Sequence, residues 1–170
     1  MSEYFEMFKF AIMNKFCSSS LLPSRIRIKI YSMNGLKIGK SVIMPHCYFN
    51  SKRVTIGDNS FVNRDCKFYS SKKRREKGDI IIGNNVFVGM NVSFCTVSHE
   101  IGTQQQRAGK HLDKDIVVRN GCWIGINSTI LQGVTIGEGT VIGANSLVVE
   151  DCEPNSLYVG IPARKIKQLL

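Results

Sequence analysis

The chain has 170 residues, 43% of them hydrophobic, so it can form one domain with a substantial core. Its net charge of +10 favours anionic partners such as a phosphorylated small molecule, although a merely solvated basic surface would give the same count. The sequence has neither a secretory leader pattern nor an apolar run of about 18 residues, so we expect a cytoplasmic protein without a membrane-spanning segment. Its six cysteines include no C-x-x-C pair, which argues against a zinc site.

The first predicted element is a helix over residues 3–17. Its large apolar side chains fall on one helical stripe, which consists of Phe5, Phe8, Ile12 and Phe16. We expect this stripe to cover the end of a hydrophobic core. The alternative is a basic amphipathic helix that rests on a membrane surface, at the inner face of the membrane.

The second segment, residues 21–35, fits two kinds of secondary structure. From Arg25 to Ile30 polar and apolar residues alternate, as they do in a strand. The same segment also carries a helical stripe, with Ser24 as a suitable cap. The members of that stripe are Leu22, Ile26, Ile30 and Met33. These residues alone leave the choice between strand and helix open.

From residue 36 onward the chain repeats with a period of six. An aliphatic residue followed by glycine marks the repeat, and five such pairs between Ile82 and Ile142 share one phase. The pairs are Ile38-Gly39, Ile56-Gly57, Ile82-Gly83, Val88-Gly89, Ile124-Gly125, Ile136-Gly137 and Ile142-Gly143. The insertion SSKKRREKGD displaces the first two pairs. We expect its basic residues 72–77 to form a solvated loop, with an anionic glycan or a membrane as the alternative partner.

Three hexads make a triangular coil of eighteen residues, with one short strand on each side. We expect the aliphatic residue to point inward and to stack on its counterpart one coil further, about 4.8 Å away. Where no glycine pair marks the hexad, Met44 and Phe68 are among the residues expected to take this position. A small residue four positions later should also be buried, namely Val42, Ser60, Cys66, Val86, Val92, Cys122, Ser128, Val134, Thr140, Ser146 and Cys152. Asn59, Asn85 and Gly139 are expected at corners that need left-handed backbone.

The repeat stops beside His99 and resumes at Val118. Ile82 and Val118 are 36 residues apart, which is the length of two coils, yet only the first half keeps the pattern. Residues at about 100–117 are polar and lack periodic apolar positions, so we expect an extended loop that leaves the coil. His99 should then occupy the last rigid position before the loop, whereas His46 and His111 are expected on the surface.

The hexad pattern resembles that of hexapeptide-repeat proteins. The resemblance implies an all-β fold, a left-handed parallel β-helix over residues 36–166, with an N-terminal helical cap at residues 1–35 in the same structural domain. It also favours a helix for residues 21–35, because polysaccharide O-acetyltransferases of this fold look similar there. The handedness comes from the resemblance and not from the period.

The unit of His99, extended loop and Trp123-Ile124-Gly125 resembles the maltose, galactoside and xenobiotic O-acetyltransferases. In that family the histidine is the catalytic base, and an Arg and a Gly occur in the loop, here Arg107 and Gly109. The resemblance also implies that Asn63 binds the acceptor. The residues that it implies for coenzyme A are Trp123, Gly125, Ile126, Gly143, Ala144, Arg164 and Lys167.

The same resemblance implies acetyl-CoA as cosubstrate, no metal, a sugar or glycan acceptor, a homotrimer and no nucleic acid. The chemistry agrees, because a hydroxyl that attacks a thioester needs a base, and imidazole suits that role near neutral pH. Backbone N–H groups near Gly125 and Ile126 would stabilise the oxyanion. We therefore expect a sugar O-acetyltransferase of polysaccharide biosynthesis.

Other functions stay open at this point. An amino-sugar N-acetyltransferase and an antibiotic O-acetyltransferase are the nearest rivals among transferases, and a non-catalytic hexapeptide scaffold is the rival outside them. A γ-class carbonic anhydrase shares the expected fold but needs three histidines that converge on zinc. The three histidines of this chain, His46, His99 and His111, include no close pair in sequence.

Overall fold

The computed structural model describes residues 3–71 and 77–170. The chain begins with two helices, α1 (Glu3–Cys17) and α2 (Ser24–Met33), so the helical choice for the second segment is confirmed. None of the helices in the described ranges has the length and apolar content needed to cross a membrane. Residues 72–76 hold most of the basic insertion and lie outside the described residues.

The rest of the described chain consists of short strands. In chain order they are β1 (Lys37–Ile38), β2 (Val42–Ile43), β3 (Tyr48–Phe49), β4 (Val54–Ile56), β5 (Phe61–Val62), β6 (Lys67–Tyr69), β7 (Ile80–Ile82), β8 (Phe87–Val88), β9 (Ser93–Cys95), β10 (Val97–Ile101), β11 (Ala108–Asp113), β12 (Ile116–Val118), β13 (Trp123–Ile124), β14 (Thr129–Leu131), β15 (Thr135–Ile136), β16 (Val141–Ile142), β17 (Leu147–Val148), β18 (Ser156–Gly160) and β19 (Ala163–Gln168).

Three parallel sheets form the three sides of a prism. Sheet A has the order β1-β4-β7-β12-β15, and sheet C has the order β3-β6-β9-β14-β17. Sheet B has the order β2-β5-β8-β13-β16-β18, with β19 antiparallel at its edge. Because successive strands of the coil belong to sheets A, B and C in turn, each coil visits every side once.

The register shows where the chain departs from the eighteen-residue coil. Val117 pairs with Thr135, eighteen residues away, as the hexad predicts. Across the basic insertion the partner of Val54 is Ile80, and across the break the partner of Ile80 is Ile116. The stacked strands therefore stay continuous on either side of both extra segments.

The predicted inward positions form the core, except in the first coil. The aliphatic residues from Ile56 onward and the small residues from Ser60 onward are buried, as expected. In the first coil, however, Ile43 is buried and pairs with Val62, whereas Val42 is 38% exposed. Met44 therefore does not hold the inward position, because the first corner is one residue shorter than the hexad requires.

Two further sequence features explain how the prism is built. Asn59, Asn85 and Gly139 have φ values of 55°, 56° and 67°, so the predicted left-handed corners are confirmed. Inside the prism, Phe49, Phe68 and Phe94 stack on one another with ring centroids 4.5 and 5.1 Å apart. Such aromatic pairs add roughly 0.5–1.5 kcal/mol each beyond the burial of their area.

Polar side chains from the two helices satisfy the open strand edges of the first coil. Asn14 donates to the Phe49 carbonyl at 2.7 Å and accepts from its N–H at 3.0 Å. Arg27 is buried and donates to the carbonyls of Cys17 and Ile43, at 2.8 and 2.7 Å. Ser24 does not cap α2 but accepts from the Ile43 N–H at 3.0 Å. The N-terminal helices thus protect an edge that would otherwise expose unpaired backbone groups.

The predicted apolar stripe of α1 does not cover the core. Its members are 53–65% exposed, namely Phe5, Phe8, Ile12 and Phe16. The opposite face of the helix is buried instead, through Phe10, Met13 and Cys17. The expectation for the stripe is wrong because the hydrogen bonds of Asn14 to the strand edge determine which face of the helix points toward the core.

Candidate active site

The expected extended loop is a two-stranded antiparallel hairpin, formed by β10 and β11. The last coil strand before it, β9, ends at Cys95, so the chain leaves the coil before residue 100. We expected His99 at the last coil position, and this expectation is wrong. His99 lies on β10, opposite His111 of β11. Sequence periodicity missed this hairpin because neither of its strands contributes to the core.

His99 has a second histidine beside it. Its exposed imidazole packs edge to face against the imidazole of His111, with ring centroids 5.3 Å apart and planes 85° apart. His111 is not a simple surface residue, since its Nδ1 is buried and lies 3.4 Å from Oδ2 of Asp113. In the sequence, His111 and Asp113 are two residues apart, a spacing that places both side chains on one face of a strand. The expectation of a loop gave no reason to apply that spacing.

The base of the hairpin is tied to the coil by buried polar contacts. Ser71 donates through Oγ to Oδ2 of Asp113 at 2.6 Å. Asp115 accepts from the N–H groups of Gly78 and Asp79 at 2.6 and 2.9 Å. Burial acts to raise the pKa of Asp115, but these two hydrogen bonds and the charges of Lys77 and Arg53 together lower that pKa. A carboxylate held in this way fixes the point at which the hairpin rejoins the coil.

The outward face of sheet B carries a column of apolar side chains. In register order its members are Val42, Phe61, Phe87, Trp123, Val141 and Leu157. The rings of Phe61 and Phe87 stack with centroids 5.0 Å apart, and Trp123 beside them is 54% exposed. The candidate coenzyme residue Trp123 thus lies on an exposed apolar surface of the prism.

Directly after this column, at the corner between sheets B and C, lies a second column. Asn63, Gly89, Gly125 and Gly143 follow four successive strands of sheet B in the same register. A Cβ on Gly125 would come within 2.7 Å of the Gly143 backbone, so only glycine permits this close stacking of coils. Gly89 and Gly125 are themselves buried between coils, so the column sets the spacing of the coils, and the exposed positions at this corner are the residues that follow it.

Some polar groups at this corner already form hydrogen bonds within the chain. Asn63 accepts through Oδ1 from the Arg64 N–H at 2.8 Å. The Gly125 N–H donates to the Ile142 carbonyl at 2.7 Å, so it is used inside the coil. Ile126 and Ala144 follow in the next column and are both exposed. Of the two expected oxyanion donors, Ile126 is therefore the one that geometry favours.

The two basic candidates lie at the edge of sheet B. Arg164 pairs with Val159, and Lys167 pairs with Leu157, which belongs to the apolar column. Because directly paired residues lie on the same face of a sheet, both basic positions share the outward face. Arg164 also lies 3.7 Å from an exposed carboxylate oxygen of Glu150.

The structure brings eight of the nine predicted site residues together and separates His99 from them. The eight lie on sheet B, its antiparallel edge or the adjoining corner: Asn63, Trp123, Gly125, Ile126, Gly143, Ala144, Arg164 and Lys167. The hairpin with His99 leaves between β9 of sheet C and β12 of sheet A. That corner is opposite sheet B in a three-sided prism, so Trp123 does not return beside His99 within one chain.

Comparison with known proteins agrees with the fold. The bacterial transferase hexapeptide family, described as six repeats, matches residues 115–149. Galactoside O-acetyltransferase of Escherichia coli is 30% identical over 128 residues, which cover 75% of this chain and 60% of that enzyme. The crystal structure of a hexapeptide-repeat acetyltransferase from Vibrio cholerae is 31% identical with a TM-score of 0.84, covering 100% of this chain and 94% of that one. The chain belongs to the hexapeptide-repeat acetyltransferase family.

Membership of the hexapeptide-repeat acetyltransferases confirms the predicted left-handed parallel β-helix. The Vibrio cholerae protein was also solved in complex with acetyl coenzyme A, again 31% identical, with a TM-score of 0.83 over 98% of this chain and 88% of that chain. A galactoside acetyltransferase in complex with coenzyme A is 26% identical, with a TM-score of 0.83 over 100% of this chain and 84% of that one. The chain spans 53% and 60% of the length of two curated relatives, from Schizosaccharomyces pombe and Escherichia coli.

A metal site would need a group of three or more His, Cys, Asp or Glu side chains. No such group that could hold a metal ion occurs in residues 3–71 and 77–170. The residues that fit a ligand are instead the exposed corner at Ile126 and Ala144, the apolar column and the basic edge of sheet B. An apolar corner suits the narrow arm of a pantetheine, and two cationic side chains suit phosphate groups. This combination matches the chemical parts of coenzyme A.

Proposed function

We propose that the protein is an acetyl-CoA-dependent O-acetyltransferase that acts on a hydroxyl of a sugar, in a polysaccharide or a glycan precursor. His99 is its general base. The acetyltransferase relatives from Escherichia coli and Vibrio cholerae support the reaction class. The motif of His99, hairpin and Trp123-Ile124-Gly125 supports the assignment of the base.

The observation that carries the proposed arrangement of the site is the separation of His99 from the other eight site residues. A base on one corner of the prism cannot serve a ligand that lies along the opposite sheet of the same chain. Two chains packed side by side can bring the hairpin of one against sheet B of the next. The active site then forms between subunits, with His99 from one chain and Trp123, Gly125 and Ile126 from its neighbour.

The shape and surface of the prism support a homotrimer. A triangular prism has flat sides, and sheet B presents a column of exposed and half-buried apolar side chains that includes Phe87 and Trp123. Exposed apolar surface of this extent indicates a contact with another molecule. Closed three-fold packing covers one such surface on every chain and creates three equivalent sites.

In the proposed reaction the acceptor hydroxyl attacks the thioester carbonyl while His99 takes its proton. The N–H of Ile126 stabilises the oxyanion, and the protonated His99 then returns the proton to the departing thiolate sulfur. No covalent intermediate with the protein is needed, because the hydroxyl attacks directly. Arg164 and Lys167 hold the phosphates of coenzyme A at the edge of sheet B.

We propose a cytoplasmic location, where acetyl-CoA is made, with peripheral contact of α1 to the membrane face. The support is the exposed stripe of α1, which includes Phe8 and Phe16 at 65% and 59% exposure. Cosedimentation with vesicles of anionic lipid tests this contact, and Phe8→Glu should abolish it. Equal recovery of both proteins in the supernatant would contradict it.

The decisive test of function is incubation of the purified protein with acetyl-CoA and a panel of sugars, with the free thiol as the readout. Thiol release that depends on a neutral sugar, together with an ester product, supports the proposal. Release that depends only on amino sugars would indicate N-acetyl transfer, and release with antibiotics would indicate a xenobiotic enzyme. Failure to bind acetyl-CoA would favour a non-catalytic scaffold.

A further inference from the structure

The hairpin carries a second histidine that the proposed mechanism does not use. His111 lies directly opposite His99, and the two imidazoles pack edge to face at 5.3 Å. The His99 side chain is otherwise exposed, so this contact is what limits the rotation of its ring. A general base must aim its nitrogen at the proton that it removes, and a small error in position lowers the rate steeply.

The inner edge of His111 faces a buried carboxylate. Among the described residues, Nδ1 of His111 and Oδ1 of Asp113 are the buried side-chain nitrogen and oxygen atoms without a hydrogen-bond partner. The other oxygen of that carboxylate, Oδ2, lies 3.4 Å from Nδ1. An unpaired buried polar atom costs roughly 1–3 kcal/mol, so closure of this gap into a hydrogen bond is favoured. The carboxylate would then select the orientation of the His111 ring.

Asp113 is in turn fixed by the rigid coil. Its side chain is fully buried, and Ser71, which follows β6 of sheet C, donates to Oδ2 at 2.6 Å. A continuous series of contacts therefore runs from Ser71 of the coil through Asp113 and His111 to His99. The series holds a base on a hairpin, which would otherwise be free to move as surface strands do.

We propose that His111 is a positioning residue for acetyl transfer. Asp113 orients its imidazole through Nδ1, and the His111 ring holds the plane of the His99 imidazole. This inference rests on the proposed role of His99 as general base. It adds two residues to the site, neither of which touches the substrate.

Steady-state kinetics with acetyl-CoA and p-nitrophenyl β-galactoside as the acceptor probe test the inference. His111→Ala should lower kcat about tenfold or more, within the range that misplacement of a reacting group causes, while the KM for acetyl-CoA stays within about twofold. His111→Phe keeps a ring against His99 and should recover part of kcat. Lys110→Ala, on the same strand and exposed, is the matched control and should resemble the wild type.

A second readout does not depend on activity. The chain has three histidines, so selective ¹⁵N labelling gives three imidazoles whose tautomers NMR can assign. Asp113→Asn should change the tautomer of His111, and His111→Ala should shift the ring resonances of His99. Unmoved His99 resonances in His111→Ala would overturn the inference.

The two proposals fail in different ways. Full kcat in His99→Ala would overturn the proposed base. A loss of kcat in His99→Ala beside unchanged kcat in His111→Ala would overturn the positioning role alone.

Discussion

Trp123 lies beside Phe87 in the parallel register of β8 and β13, and the two side chains are 54% and 44% exposed. Large aromatic side chains gain most when they are buried, roughly 1.5–3 kcal/mol for a residue such as Phe. Two neighbouring aromatic residues left half exposed on a flat sheet therefore indicate a surface that is covered in the assembled protein. On the proposed arrangement, this pair lies where the hairpin of the next subunit arrives.

Replacement of Phe87 by lysine should dissociate the trimer. A charge in the centre of an apolar interface loses its hydration without gaining a partner, which costs several kcal/mol. Analytical ultracentrifugation should show a monomer for Phe87→Lys at concentrations where the wild type is trimeric. Tyr48→Lys is the matched control, because Tyr48 is 40% exposed on sheet C, and it should stay trimeric. A wild-type protein that is monomeric and fully active would contradict the intersubunit site.

Replacement of Arg164 by alanine should raise the KM for acetyl-CoA about tenfold or more. Charge-assisted hydrogen bonds contribute roughly 1.5–3 kcal/mol, and 1.4 kcal/mol corresponds to a factor of ten. The KM of the acceptor should change little. The control is Lys165→Ala, because Lys165 pairs with Tyr158 on the other face and binds Glu153 at 2.6 Å. An effect confined to the acceptor would contradict the assignment of Arg164 to the coenzyme.

The coil was predictable from sequence because its rule is local and repeated. Each hexad must place one large and one small side chain inside the prism, so Ile124, Cys122 and their counterparts reveal the period directly. The two columns of sheet B follow from the same rule, since residues that hold the same place in successive coils stack. The position of Trp123 relative to Gly125 was therefore fixed once the period was known.

The hairpin and the helix orientation were not predictable in this way. The strands of the hairpin bury few side chains, so no apolar periodicity marks them. The pair His111 and Asp113 is therefore indistinguishable in sequence from a polar loop. On α1 the residue that sets the orientation is Asn14, through its bonds to Phe49, and not the apolar stripe. The backbone groups of an open strand edge need hydrogen-bond partners that lie far away in the sequence. A pattern of hydrophobic residues does not reveal such partners.

Replacement of the buried Arg27 by methionine should destabilise the fold by about 2–5 kcal/mol. The guanidinium donates to the carbonyls of Cys17, Ser19, Leu22 and Ile43, and methionine leaves these acceptors without a donor. Urea unfolding measures the change. Arg25→Met on the same helix is exposed and should change the unfolding free energy by less than about 0.5 kcal/mol. Equal effects of the two substitutions would contradict a structural role for Arg27.

The protein should lose stability as the pH rises above about 9. Burial raises the pKa of the Cys152 thiol from 9.0 to about 12, and the nearby Asp151 and Cys122 add to this. The unfolded chain releases that proton first, so the stabilisation is complete below pH 9 and falls as the pH approaches 12, by up to about 1.4 kcal/mol per unit. Urea midpoints at pH 7.5 and 10.5 should fall less in Cys152→Ala than in the wild type. The same pH dependence in both proteins would exclude Cys152 as the source.

Replacement of His99 by alanine should lower kcat by about 10²–10⁴, the contribution of a positioned base. Binding of acetyl-CoA and assembly should be retained, because the His99 side chain lies outside the coil core and away from sheet B of its own chain. His46→Asn is the matched control: His46 is exposed at a left-handed corner with φ 62°, a conformation that asparagine tolerates, so this variant should keep full activity. If purified His99→Ala keeps more than about a tenth of the wild-type kcat, less is lost than a positioned base supplies, and another group removes the proton.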